Sequence, residues 1–177
     1  ISSTVSKEMQ RDAILAVTIA TVCMLIYIWF RFKDIRFASS GVLALLHDVM
    51  VVLACYTFVR ISVGNTFIAC MLTILGYSIN ATIVIFDRIR ENMHGVKTVE
   101  ELKELVNASI TQTLTRSIYT SLTTFITIAV LFVMGVSTVR EFALPIMTGI
   151  VCGAYSSVCI TGPLWFTMKK RSLIREK

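Results

Sequence analysis

Asp48 stands at the centre of an apolar stretch, Phe37–Val59, in which it and His47 are the only charged or imidazole side chains. At a helical rise of about 1.5 Å per residue the carboxyl lies about 16 Å from either end of that stretch. An ionised carboxylate at such a depth costs roughly 2.5–3.5 kcal/mol on insertion scales, so it turns to the bundle interior, to water or to a partner. A group so placed either carries a proton or an ion, or is a neutral or hydrogen-bonded acid that only ties helices together. Ionisable groups inside membrane helices point first to the former. His47 lies about 100° round the helix and is either a hydrogen-bonding packing residue or a second proton carrier.

Other polar groups interrupt later apolar runs. Thr73, Tyr77, Asn80 and Asp87 are spaced by four, three and seven and so share one helix face. Thr113, Arg116, Thr120, Thr123 or Thr124, and Thr127 form a second stripe at steps of three and four. Two such faces on successive helices are expected to turn inward, toward each other or toward a shared hydrated interior. The competing reading is that each hydroxyl merely glues helices, at about 0.6 kcal/mol apiece. The candidate proton relay is therefore Asp48 and His47 with Asn80, Arg116, Thr120 and Thr124. Asp87, Arg88, Arg90 and Glu91 form a mixed-sign cluster where the third apolar run ends. The arginines suit a helix carboxyl terminus, and Arg88 can pair with either acid. Gly149 and Gly153 have the GxxxG spacing of close helix packing, and Pro145 is expected in the first turn of its helix.

No other chemistry is readable. The chain has no phosphate-binding glycine loop, no HExxH set and no nucleophile elbow. The expectation is a protein that is not an enzyme, with no catalytic residue, cofactor or metal. Cys23, Cys55, Cys70, Cys152 and Cys159 all lie in apolar blocks without a CxxC pair or metal-ligand spacing, and read as small packing residues.

These residues need a membrane scaffold. Of 177 residues 55% are hydrophobic and 16% charged, against about 25% charged in soluble domains. Five stretches are long and apolar enough to span a bilayer. They predict an all-α membrane domain of five helices over about 13–30, 37–59, 67–86, 118–137 and 142–168. A sixth, amphipathic helix over about 98–113 is expected on the cytoplasmic surface, either ending there or running on into the fourth span, with contact to a partner protein as the alternative. Thr98 and Glu101 fit a capping box there, and Val99, Leu102, Val106 and Ile110 mark its apolar face. Of the 17 Lys and Arg residues, 13 fall in segments 31–36, 87–117 and 169–177. Such asymmetry places those segments inside and the amino-terminal end outside. It accounts for the net charge of +6 without nucleic acid, and makes the basic tail a membrane-surface anchor. An outside amino terminus without a leader implies at least one further span upstream.

The residues GYSIN at 76–80, TIVIFDRIREN at 82–92 and SITQTLTRSIYTS at 109–121, with FRF at 30–32 and ALLHDV at 44–49, resemble the SecF family across nearly the whole chain. That family comprises membrane subunits that act with SecD in bacterial protein export. The resemblance implies a resistance-nodulation-division-type fold of six spans, with an extracytoplasmic domain between the first two. This chain would supply spans two to six, in the bacterial plasma membrane. It implies assistance to polypeptide export through the SecYEG channel, driven by the proton-motive force. The implied partners are SecD, the channel, the translocating preprotein, the lipid bilayer and protons, with YajC and YidC as further candidates. Asp48 matches the family's intramembrane HD acid, and Arg88 and Arg116 match family arginines near the inner surface. Many members carry Asp after the Asn of GYS-x-N, where this chain has Ala81. The alternative role is a structural subunit that binds SecD and the channel without conducting protons.

Overall fold

The computed structural model describes residues 3–61 and 64–175. Ile1, Ser2, Ser62, Val63, Glu176 and Lys177 lie outside the described residues, and with them the end of the basic tail. Among the described residues every element is helical: α1 (Ser3–Phe32), α2 (Ile35–Val59), α3 (Asn65–Asn92), α4 (Val99–Met134) and α5 (Ser137–Ser156), then a π-helical turn (Ser157–Thr161) and α6 (Gly162–Arg175). The last three run on as one rod. With it, five helices are long and apolar enough to cross a membrane.

The turns follow from local chemistry. Asp34 caps α2 by accepting from the Arg36 amide at 2.9 Å, after Lys33 has reversed the chain at φ 54°. Thr98 and Glu101 form a reciprocal capping box at the start of α4. No glycine or proline interrupts 99–134, so the surface helix and the fourth span fuse into one α4. At 36 residues it is about 54 Å long, well beyond a hydrocarbon core of about 30 Å. Gly135 makes the sharp exit from α4. A Cβ there would stand 2.5 Å from the Leu131 carbonyl oxygen. The fifth rod starts at Ser137, earlier than its apolar run suggests. Pro145 therefore lies inside α5, not in its first turn.

α5 packs against α2, α3 and α4 and is the axis of the bundle. Its glycines make this possible. A Cβ on Gly149 would meet Ile74 of α3 at 2.5 Å, and one on Gly153 would meet the Ser78 Cβ at 3.3 Å. Near one end Phe32, Phe37, Phe86 and Trp165 stack as a buried aromatic group, with ring centroids 4.8–5.8 Å apart. Toward the other end Val52, Tyr56, Phe67, Met71 and Ile74 form a second core. Asp48 lies between these two cores along α2.

Candidate functional site

Asp48 is 0% exposed. Its neighbours arrive on three helices. α2 brings the acid itself and His47, α3 brings Ser78, and α5 brings Cys152 and Ser156. Ser156 donates to Asp48 Oδ2 at 2.7 Å, and Ser78 donates to the same oxygen. Oδ1 lies 3.2 Å from the Cys152 thiol, which donates to it, and 3.1 Å from His47 Nδ1. Both oxygens are thus engaged, and among the described residues His47 is the sole cation-forming side chain in ion-pair range. Despite the angle between adjacent helix positions, the His47 ring reaches back to its neighbour.

The protonation state of this acid bears on how the helices fit. An ionised carboxylate accepts at both oxygens, whereas the neutral acid must donate from one. Gaining or losing a proton therefore obliges one of the four partners to turn, or His47 Nδ1 to change between donor and acceptor. Ser156 has an alternative ready, since the Gly153 carbonyl lies 3.3 Å from its Oγ. Ser156 is also the last residue before the π-helical turn, and its own carbonyl accepts from the Thr161 hydroxyl at 3.2 Å. π-turns within α-helices are frequent at functional sites. Here Pro163, two residues beyond the turn, has no amide to extend the regular ladder.

The other residues of the predicted relay lie elsewhere. Asn80, Arg116 and Thr120, with Tyr77, Ala81 and Ser121, line a separate cavity of about 60 Å³ between α3 and α4. Tyr77 spans it, donating to Ser121 at 2.9 Å. Asn80, Arg116, Thr120 and Thr123 are exposed and Thr124 is half-buried. Thr120, Thr123, Thr124 and Thr127 each donate to a carbonyl of their own helix four residues back. The two polar stripes meet at Tyr77, Asn80, Arg116 and Thr120, but Thr73, Thr123 and Thr127 are exposed, so they enclose no shared interior along their length. A threonine satisfied by its own helix needs no hydrated interior.

The mixed-sign cluster joins three helices. Asp87 pairs with Arg31 of α1 at 2.9 Å, and Arg90 donates to the Arg31 carbonyl at 3.1 Å. Arg88 pairs with Glu91 at 2.7 Å and donates to Gln112 of α4. Asn92 donates to Ser109 at 2.8 Å and to Gln112 at 3.2 Å. The two sequence blocks DRIREN and SITQT are thus bonded to each other across α3 and α4.

Reading by residue type missed Ser78, Cys152 and Ser156. A signal was present on α5, where Gly149, Cys152, Gly153 and Ser156 recur at steps of three and four and so share a face.

Fold and site together define a polytopic all-α membrane domain with one acid walled in halfway along a span. Residues 1–171 match the family described as protein export membrane protein SecD/SecF, C-terminal, and the chain belongs to that family. It is 47% identical to the protein translocase subunit SecF of Alicyclobacillus acidocaldarius over 96% of this chain and 55% of the relative. It is 40% identical to the protein translocase subunit SecDF of Bacillus subtilis, over 99% of this chain and 24% of the relative. The crystal structure of SecDF from Thermus thermophilus, titled a translocon-associated membrane protein, superposes with a TM-score of 0.87 at 41% identity, covering 97% of this chain and 24% of that one. The chain spans about half the length of the SecF relatives it matches.

Proposed function

We propose that the chain is the membrane part of a Sec-type protein-translocation subunit in which proton exchange at Asp48 drives rearrangement of the bundle. It works with SecD, in the same or a separate chain, at the SecYEG channel. It acts on a translocating preprotein in the bacterial plasma membrane, with its amino-terminal end outside. YajC and YidC are candidate further partners. The observation that carries the proposal is the Asp48 cage. Its Oδ2 holds α3 and α5 together through Ser78 and Ser156, so a change in its charge bears on three helices at once. A ligand, here a proton, shifts an equilibrium only by its differential affinity for the two states. A carboxyl whose partners must turn, or change tautomer at His47, on protonation offers such a difference. Asn80, Arg116, Thr120 and Thr124 take part as a second polar surface that a SecD acid could complete.

The test is Asp48→Asn in the full-length subunit assembled with SecD and the channel, in vesicles with an imposed proton gradient. The amide keeps the shape and removes the titrating proton. Assembly is expected to persist, while export loses its dependence on the gradient. Export that responds to the gradient as the parent does removes the proton role. Ala81 favours the second reading in that event: it lines the α3–α4 cavity beside Asn80 and Arg116 and brings no acid there. The chain would then be a structural subunit binding SecD and the channel.

A further inference from the structure

Cysteine spacing along the chain gives no hint of a metal site, yet the fold gathers three ligand types at one point. His47 Nδ1, Asp48 Oδ1 and the Cys152 sulfur all lie within 4.8 Å of one another. We propose that these three side chains form a binding site for a divalent transition metal of the Zn²⁺ class, with the fourth position left to water or an exogenous ligand.

The geometry matches such an ion. Bonds of about 2.3 Å to sulfur and about 2.0–2.1 Å to nitrogen or oxygen set ligand-to-ligand edges of about 3.3–3.6 Å in a tetrahedron. The edges here are 3.1 Å between Nδ1 and Oδ1, 3.2 Å between sulfur and Oδ1, and 3.7 Å between sulfur and Nδ1. Shifts of a few tenths of an ångström open the first two and shorten the third to the required lengths. The carboxylate is already oriented. Ser78 and Ser156 hold Oδ2, so Oδ1 is directed at the other two ligands, its only partners among the described residues. Outer partners of this kind fix a ligand's direction and are worth about 10–100-fold in metal affinity or activity.

Charge also fits. Cys152 binds as thiolate and gives its thiol proton to the solvent. Asp48 binds as carboxylate and His47 as neutral imidazole. A divalent cation with two anionic ligands makes a neutral site, which suits a buried position where net charge is costly. The mixed sulfur, nitrogen and oxygen set excludes Mg²⁺ and Ca²⁺, which take oxygen ligands, and suits Zn²⁺ or Co²⁺. His47 and Cys152 border a lateral groove between α2, α4 and α5 that is otherwise largely apolar, with Phe125, Phe132, Leu144 and Met147 in its lining. Under the proton reading above a bound metal displaces the proton from Asp48, but the metal inference stands without that reading, and binding is measured with no translocation taking place.

The experiment titrates the full-length subunit in detergent with Co²⁺, followed by Zn²⁺ competition. Because His94 on the α3–α4 loop is a second imidazole, the titration is repeated in the His94→Gln protein. One tight equivalent per chain, a sulfur-to-cobalt charge-transfer band and tetrahedral visible absorption are expected, all unchanged by His94→Gln. Cys152→Ser keeps a hydrogen-bond donor and is expected to abolish the charge-transfer band and weaken Zn²⁺ binding by about tenfold or more. His47→Gln is expected to weaken binding similarly while the band persists at high cobalt. Absence of a tight equivalent overturns the proposal. So does a band that survives Cys152→Ser with helical circular dichroism intact, or binding lost with His94→Gln.

Discussion

Asp48 and Arg116 are both charged-type side chains in apolar helices, and the chain treats them in opposite ways. Asp48 has no exposed surface and four partners drawn from three helices. Arg116 is exposed, lines a cavity of about 60 Å³ with Asn80 and Thr120, and among the described residues has no acid within ion-pair distance. The first is a closed polar site, completed by the chain itself. The second is an open polar surface, whose hydroxyls are satisfied locally and whose cation is left for water, lipid headgroups or another subunit. A buried polar group draws its cost or benefit from its partners, so the closed site is where a small chemical change should be felt throughout the bundle.

The largest expected effect follows from that contrast. Ser78→Ala and Ser156→Ala each remove one donor to Oδ2, and each is expected to destabilise the protein by about 1–3 kcal/mol. The double variant should depart from additivity, because both hydroxyls serve one oxygen. Asn80→Ala and Thr120→Ala, made on the open surface, are expected to stay within about 0.5 kcal/mol. Unfolding by denaturant in detergent compares the two pairs directly. Equal losses at both sites would erase the distinction between a closed and an open polar region.

Part of this arrangement was legible from residue types. The five spans follow from five runs without dense charge, because a bilayer admits few alternatives to a long apolar helix. Asp48 stood out for the same reason. The buried face of α3 did not. Counting polar residues selects Thr73, Tyr77 and Asn80, yet Thr73 and Asn80 are exposed and Tyr77 half-buried, while the face turned inward is Ile74, Ser78, Thr82 and Ile85. A hydroxyl that bonds its own helix, as Thr73 does to the Ala69 carbonyl at 2.8 Å, carries no polarity outward, so its presence does not mark an interior. Ser78, Cys152 and Ser156 gain their roles only from pairing across helices. Such pairing depends on how α5 is rotated against α3, and that is set by Gly149 and Gly153. The fused α4 was legible in outline, since nothing between Val99 and Met134 breaks a helix.

The glycine contact offers a sharper cut through the comparison. A Cβ at Gly149 would sit 2.5 Å from Ile74 Cγ1, whereas at Gly153 it would sit 3.3 Å from the Ser78 Cβ. Gly149→Ala must push α5 and α3 apart or force Ile74 off its rotamer, and overpacking of this kind costs about 1–3 kcal/mol. Gly153→Ala needs a displacement of only a few tenths of an ångström. It should cost less stability, but it moves Ser78 relative to Asp48. Thermal stability measured beside gradient-driven export separates the two: Gly149→Ala is expected to fail mainly in stability and Gly153→Ala mainly in coupling. The same ratio of losses in both variants would mean that α5 responds as a rigid rod, and that the contact near Ser78 has no special bearing on the acid.

The smallest effect concerns Thr82, one turn beyond Ser78 on the same inward face of α3. Its hydroxyl is buried and has no hydrogen-bond partner among the described residues. It lies beside Phe86 and the close approach of Gly41, where a Cβ on Gly41 would stand 3.8 Å from the Thr82 methyl. A buried hydroxyl without a partner loses its hydration and gains nothing in return. Valine has nearly the same shape and carries no such group. Thr82→Val is therefore expected to raise the unfolding free energy, by about 0.5–1 kcal/mol, against the common trend that core substitutions destabilise. Ser78→Ala, four residues away, is expected to move stability in the opposite direction, because its hydroxyl does have a partner in Asp48. The pair of variants asks whether the cage around the acid ends at Ser78. A destabilised Thr82→Val protein would show that Thr82 holds an ordered water, and that the polar site extends along α3 by a further turn toward the Arg31–Asp87 pair.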